Sequence, residues 1–163
     1  MSKTEADLKE AFAGESQANR KYLAFAARAE KDGLPAVARL FRAAAHAETV
    51  HAHAHLRVLG IGDTAANLRE AIAGETHEFQ KMYPRMIADA EAEGKTAAVA
   101  SFRHANAVEK LHAALYQKAL DNLGKNADTA YWVCEVCGHT VEGEPPETCP
   151  TCGAKRQAFK KID

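Results

Sequence analysis

The segment "FRAAAHAETVHA" at residues 41–52 returns as "FRHANAVEKLHA" at 102–113, and "AFAGES" at 11–16 returns as "AIAGET" at 71–76. Tyr22, Glu30, Gly33 and Phe41 likewise find counterparts in Tyr83, Glu91, Gly94 and Phe102. A chain of this kind uses one unit twice, and its fold must accommodate both copies. Each copy is rich in Ala, Glu, Lys, Arg and Leu, and is broken only at Gly33 with Pro35, Gly60 with Gly62, Gly94, and Gly124. Those breaks leave four stretches, each long enough for about seven helical turns. Thr4 with Asp7, and the pair Asp63–Thr64, predict helix starts. Four long helices with short connections predict an all-α four-helix bundle over residues 1–126, made of two hairpins at about 4–59 and 64–124.

The repeat also sorts the polar residues. The stretch "HAETVHAHAH" at 46–55 holds four histidines and a glutamate. Aligning the copies pairs Glu15 with Glu75, Glu48 with Glu109 and His51 with His112, whereas His46, His53 and His55 meet Ala107, Ala114 and Tyr116. In a helix Glu48 and His51 share a face, as do Glu109 and His112. His53 points about 160° away from His51. One Glu from each of two helices, with Glu-x-x-His from each of the other two, is the ligand pattern of di-iron carboxylate bundles. Several carboxylates offset the charge of two cations, and each imidazole adds a nitrogen while leaving positions open. Glu78 breaks the symmetry. It lies one turn after Glu75, where the first copy has Gln17 or Ala18, and it reads as a seventh ligand.

Beyond Asn126 the composition changes to Gly, adjacent prolines, Trp132 and all four cysteines. Cys134-x-x-Cys137-Gly and Cys149-Pro-x-Cys152-Gly predict two knuckles of one tetrathiolate site in a small domain over 127–163, mainly irregular and β. A domain of that size needs a metal to hold it together. Spacing alone admits iron or zinc. Tyr131, Trp132 and Phe159 are expected to cover the site.

These motifs together resemble the rubrerythrin family over nearly the whole chain, a ferritin-like bundle followed by a rubredoxin-like domain. The resemblance implies a di-iron site held by Glu15, Glu48, His51, Glu75, Glu78, Glu109 and His112, and one iron held by Cys134, Cys137, Cys149 and Cys152, with zinc as a possible substitute. It implies that Glu48 and Glu109 bridge the irons, that Glu15 is terminal on one and that Glu75 and His112 serve the other. Glu78 would bind one iron when oxidised, and His51 would replace it when reduced. Tyr22 and Tyr83 would stand beside the site and hydrogen-bond to ligands. The implied activity is peroxidase: hydrogen peroxide goes to water, with electrons relayed through the tetrathiolate iron from an NAD(P)H-linked reductase, directly or through a rubredoxin. Ferroxidase or iron-storage activity, and a binding protein with a structural zinc ribbon, are the competing readings.

The totals of 21 Lys and Arg against 22 Asp and Glu, a net charge of −1, give no footprint for nucleic acid. No apolar run approaches a membrane span and the first residues lack the core of a secretory signal, so a cytoplasmic protein is expected. Assembly follows from length. In the ferritin-like order the second and third helices run parallel, so their connection must span about 27 Å between the helix ends. "GIGDT" reaches only about 20 Å. A homodimer with exchanged helix pairs is therefore expected; an up-down-up-down bundle within one chain is the other way out.

Overall fold

A computed structural model describes residues 2–162. Two compact units make up the chain, Met1–Ile61 and Gly62–Asp163. The first is a hairpin of α1 (Lys3–Lys31) and α2 (Pro35–Leu59). Its start is set by Ser2, whose hydroxyl accepts the Glu5 amide hydrogen at 3.1 Å. The expected start at Thr4 with Asp7 is thus corrected by two residues, because Ser2 and Glu5 offer the same kind of capping pair two positions earlier. Gly33, at φ 74°, makes the turn, and Pro35 opens α2 where its missing amide costs nothing.

The residues buried in this hairpin are all alanines: Ala26, Ala29, Ala38, Ala45 and Ala52. Small side chains let the two helices approach closely. The larger apolar residues remain outside, with Leu40 69% and Val58 71% exposed. A helix pair that buries only alanine has covered one seam of its apolar surface and left the rest.

The second unit begins at Asp63, whose carboxylate accepts the Ala66 amide at 2.7 Å, as expected of that position. Helix α3 (Thr64–His77) passes through one π-helical turn, Glu78–Met82, into α4 (Tyr83–Ala92), and α5 (Thr96–Asp121) returns beside them. Gly94, at φ 68°, repeats the turn of Gly33. The copies also share an ion pair: Arg42 meets Glu30 at 2.5 Å in one, and Arg103 meets Glu91 at 2.5 Å in the other.

The same unit ends in a ribbon. Strands β1 (Tyr131–Cys134), β2 (Thr140–Glu142) and β3 (Phe159–Ile162) form an antiparallel sheet in the order β2-β1-β3, with Trp132 opposite Val141 and Cys134 opposite Phe159. Cys134, Cys149 and Phe159 form its small core, with Trp132 and Val141 packed against them. Tyr131 does not join this cover. It is 38% exposed and donates its hydroxyl to Glu142 at 3.0 Å, because the strand alternation turns it away from Trp132's face.

Candidate metal centres

In the first hairpin, one turn of α1 and two of α2 bring Glu15, Glu48 and His51 together, with their ligand atoms all within 4.8 Å of one another. His51 Nδ1 lies 2.8 Å from Glu48 Oε2. Helical spacing explains that contact, since residues three apart are neighbours on one face. The cross-helix register is held by Asn19, which donates to the Ala45 carbonyl at 2.7 Å and to the Thr49 hydroxyl at 2.8 Å. The His51 side chain is nevertheless 56% exposed.

The second hairpin repeats the triad with Glu75, Glu109 and His112, again within 4.8 Å. His112 Nδ1 stands 3.0 Å from Glu109 Oε2 and 3.6 Å from Glu75 Oε1. Burial pushes the Glu75 carboxyl up to about 7, and the neighbouring Glu109 charge adds to the rise. Burial raises Glu109 as well. The two carboxyls face each other within hydrogen-bonding reach, which favours a shared proton where two anions would otherwise repel. A cation can displace that proton, which is the behaviour of a metal site rather than of a surface acid pair.

Glu78 is the first residue of the π-helical turn and lies outside this triad, although its charge helps raise Glu75 and Glu109. The π turn has a sequence signal that the motif comparison passed over. Glu15 and Glu75 are 60 residues apart, whereas Tyr22 and Tyr83, like His51 and His112, are 61 apart. One extra residue therefore enters the second copy between positions 76 and 83, and a helix absorbs one extra residue as a widened turn. Tyr83 lies beside Phe102, and its hydroxyl is raised by burial and by Glu109, Glu78 and Glu75. Tyr22 packs among Phe25 and Phe41.

The ribbon brings the four cysteines together. Their sulfurs lie within 4.8 Å of one another, with Cys134 3.8 Å from Cys152 and Cys137 3.6 Å from Cys149. These are free thiols, and a tetrahedron with metal–sulfur bonds of about 2.3 Å has edges of about 3.8 Å. Gly138 and Gly153, both at positive φ, close the knuckles by donating to the Cys134 and Cys149 carbonyls at 2.8 and 2.9 Å. Burial raises the Cys137 and Cys152 thiols. Burial also acts upward on Cys149, but amide hydrogens of Cys152 and Thr151 outweigh it and lower that thiol. The donor set fits a tetrahedral soft metal.

Two Glu–Glu–His triads on helix pairs, with a four-thiolate ribbon beside one of them in sequence, define a class: carboxylate di-metal helical proteins with an appended tetrathiolate domain. The rubrerythrin profile matches residues 7–120, and the rubrerythrin rubredoxin-like domain matches residues 132–160. The chain is 36% identical to Rubrerythrin-2 of Clostridium acetobutylicum, over 94% of this chain and 93% of that protein. It is 33% identical to nigerythrin of Nitratidesulfovibrio vulgaris, over 94% and 83%. The solved structure of fully reduced, all-ferrous nigerythrin superimposes with a TM-score of 0.62 at 32% identity, covering 99% of this chain and 88% of that one. The chain belongs to the rubrerythrin family. That family binds a di-iron carboxylate site and a rubredoxin-like four-cysteine iron, and its members are peroxidase-type oxidoreductases with a peroxide-reducing role in oxidative stress. Among the described residues, no helix is long and apolar enough to cross a membrane.

Proposed function

We propose that this chain is a cytoplasmic peroxidase that reduces hydrogen peroxide to water with electrons from an NAD(P)H-linked reductase, received at the cysteine ribbon. The observation that carries the reading is the coexistence of two Glu–Glu–His triads with a tetrathiolate geometry in one chain. Iron storage needs no such ribbon, and a zinc ribbon needs no such triads. When bound, the iron pair supplies two electrons to the O–O bond and the tetrathiolate iron restores them singly.

The protein's own residues set the terms of that chemistry. Glu48 and Glu109 lie at equivalent positions of the repeat and would be the carboxylates shared by the two metals. Glu15 would hold one of them, and Glu75 with His112 the other. Glu78 and His51 would exchange with oxidation state, since an anionic carboxylate favours the more highly charged ferric ion and a neutral imidazole suits the ferrous one. Tyr83 feels the charges of Glu75, Glu78 and Glu109, and it and its repeat counterpart Tyr22 would hydrogen-bond to ligands.

Each hairpin supplies only one triad, the first leaves Phe25, Leu40, Val50 and Val58 uncovered, and residues 60–63 are a short connection. These features support a homodimer in which α1 and α2 of one chain close a bundle with α3 to α5 of the other.

Anaerobic stopped-flow on the reduced, iron-loaded protein tests the activity. Mixed with peroxide, the red ferric tetrathiolate band is expected to return far faster than with dioxygen. A band that stays bleached while peroxide persists sinks the relay and moves the assignment to storage.

A further inference from the structure

The second triad differs from the first at the outer nitrogen of its histidine. His112 Nε2 lies 2.9 Å from Thr140 Oγ1, on strand β2 of the ribbon in the same unit. Thr140 Oγ1 in turn lies 3.0 Å from the carbonyl oxygen of Gly138, the residue that follows Cys137. In the first triad, among the described residues, His51 makes its one hydrogen bond through Nδ1, to Glu48, and Nε2 has no partner.

The hydrogens in this chain of contacts can be assigned without seeing them. The Gly138 carbonyl has no hydrogen, so the Thr140 hydroxyl must donate to it. The single hydroxyl hydrogen is then used, and Oγ1 can only accept from His112, so Nε2 carries the hydrogen. The lone pair left for a cation is on Nδ1, the atom that faces Glu75 and Glu109. A histidine held by its other ring nitrogen has a fixed tautomer and a fixed ring plane. Packing supports the seat: a Cβ placed on Gly138 would lie 3.6 Å from Val108 Cγ1, in ordinary contact and about one helical turn before His112. The His112 side chain is 26% exposed, under half the value for His51.

We propose that Thr140 is the positioning residue of His112, and that it joins the tetrathiolate site to the metal half-site of its own chain. The proposal rests on the reading that iron occupies both centres. The connection runs from Cys137 through the Gly138 carbonyl and the Thr140 hydroxyl to the His112 ring. One electron crosses it at a time: a ferrous tetrathiolate becomes ferric, the ferric ion held by His112 becomes ferrous, and no proton need move. Two such transfers match the two electrons and two protons that convert one hydrogen peroxide into two waters. Delivery is therefore within one chain, and the tethered histidine is the fixed ligand while His51 is the movable one.

The test replaces Thr140 by Val, which keeps the β-branched shape and strand preference but lacks the hydroxyl, and by Ser, which keeps the hydroxyl. Protein with ¹⁵N-labelled histidine and zinc in every site is first read by NMR. The expected result is a slowly exchanging Nε2–H of His112 in the parent and in Thr140→Ser, lost in Thr140→Val. This readout does not depend on peroxide chemistry, so it judges Thr140 even where the peroxidase reading fails. The iron-loaded proteins are then reduced with dithionite, freed of excess reductant, and mixed anaerobically with one equivalent of peroxide. Thr140→Val is expected to slow the return of the ferric tetrathiolate band by roughly tenfold to a hundredfold, with Ser restoring it. The intact ferric tetrathiolate spectrum before reduction reports that the ribbon is folded. An unchanged Nε2–H and an unchanged band in Thr140→Val overturn the proposal.

Discussion

The first hairpin carries Glu15, Glu48 and His51, and the second carries Glu75, Glu109 and His112, on the same helix faces and with the same turns. They differ in two respects. The second has one more residue, taken up as the π-helical turn at Glu78–Met82, and its histidine is held by a neighbouring strand. A duplicated unit supplies two similar half-sites, and two-electron chemistry with a separate electron entry gains from making them unequal. One extra residue widens the helix at Glu78, whose charge reaches Glu75 and Glu109. One threonine immobilises one imidazole and leaves the other free.

The comparison breaks most sharply at the carboxylates the two copies share. Glu48→Ala and Glu109→Ala should each remove both metals, and lower peroxide turnover by more than the roughly tenfold to hundredfold typical of residues behind the ligands. Metal analysis and steady-state assays read both effects. Co-expressing the two variants then addresses assembly. With exchanged hairpins, a mixed dimer has one site with both carboxylates intact and recovers activity. With unexchanged hairpins every site is damaged and none returns.

A smaller effect is expected where the copies diverge. Glu78→Ala should reduce peroxide turnover by about tenfold or more while most of the iron remains, and Gln17→Ala in the first copy should change neither. Simultaneous loss of both irons in Glu78→Ala would contradict an exchanging ligand.

The metal-free protein should show the protonated Glu75–Glu109 pair directly. Glu75 has its folded value near 7, above the usual 4.5. The folded state therefore holds a proton that the unfolded chain releases, and this stability is present below about pH 4.5 and lost as pH rises toward 7. The melting temperature of the metal-free protein should fall across that window, and Glu75→Gln should flatten the fall. Metal uptake displaces the proton, so affinity should rise with pH over the same range.

The smallest effects belong to the caps. Ser2→Ala and Asp63→Ala should each cost about 1 kcal/mol, measured by thermal unfolding. A Thr4→Ala variant costing more than Ser2→Ala would return the start of α1 to the position that the sequence suggested.

Much of the site was legible because helical ligands obey a local rule. Glu48-x-x-His51 needs only one helix to be assembled, and the repeat separated it from the decorative histidines around it. The cysteine knuckles were legible for the same reason, since each pair with its glycine forms within five residues. The start of α1 was misplaced because Ser2 with Glu5 and Thr4 with Asp7 are chemically equivalent caps, two residues apart. Tyr131 was misjudged because neighbouring aromatics on a strand face opposite ways. The π turn was written in the change of offset from 60 to 61, which only an alignment of the two copies exposes.

From the sequence alone came the two helical hairpins, the two ligand triads and the four thiolates, since each is specified by spacing along one or two regular elements. Only the tertiary structure decided which histidine is tethered. His112 and Thr140 are 28 residues apart, on a helix and a strand, and no periodicity relates them. Their contact depends on where the ribbon settles against α5, a matter of packing between elements rather than within them.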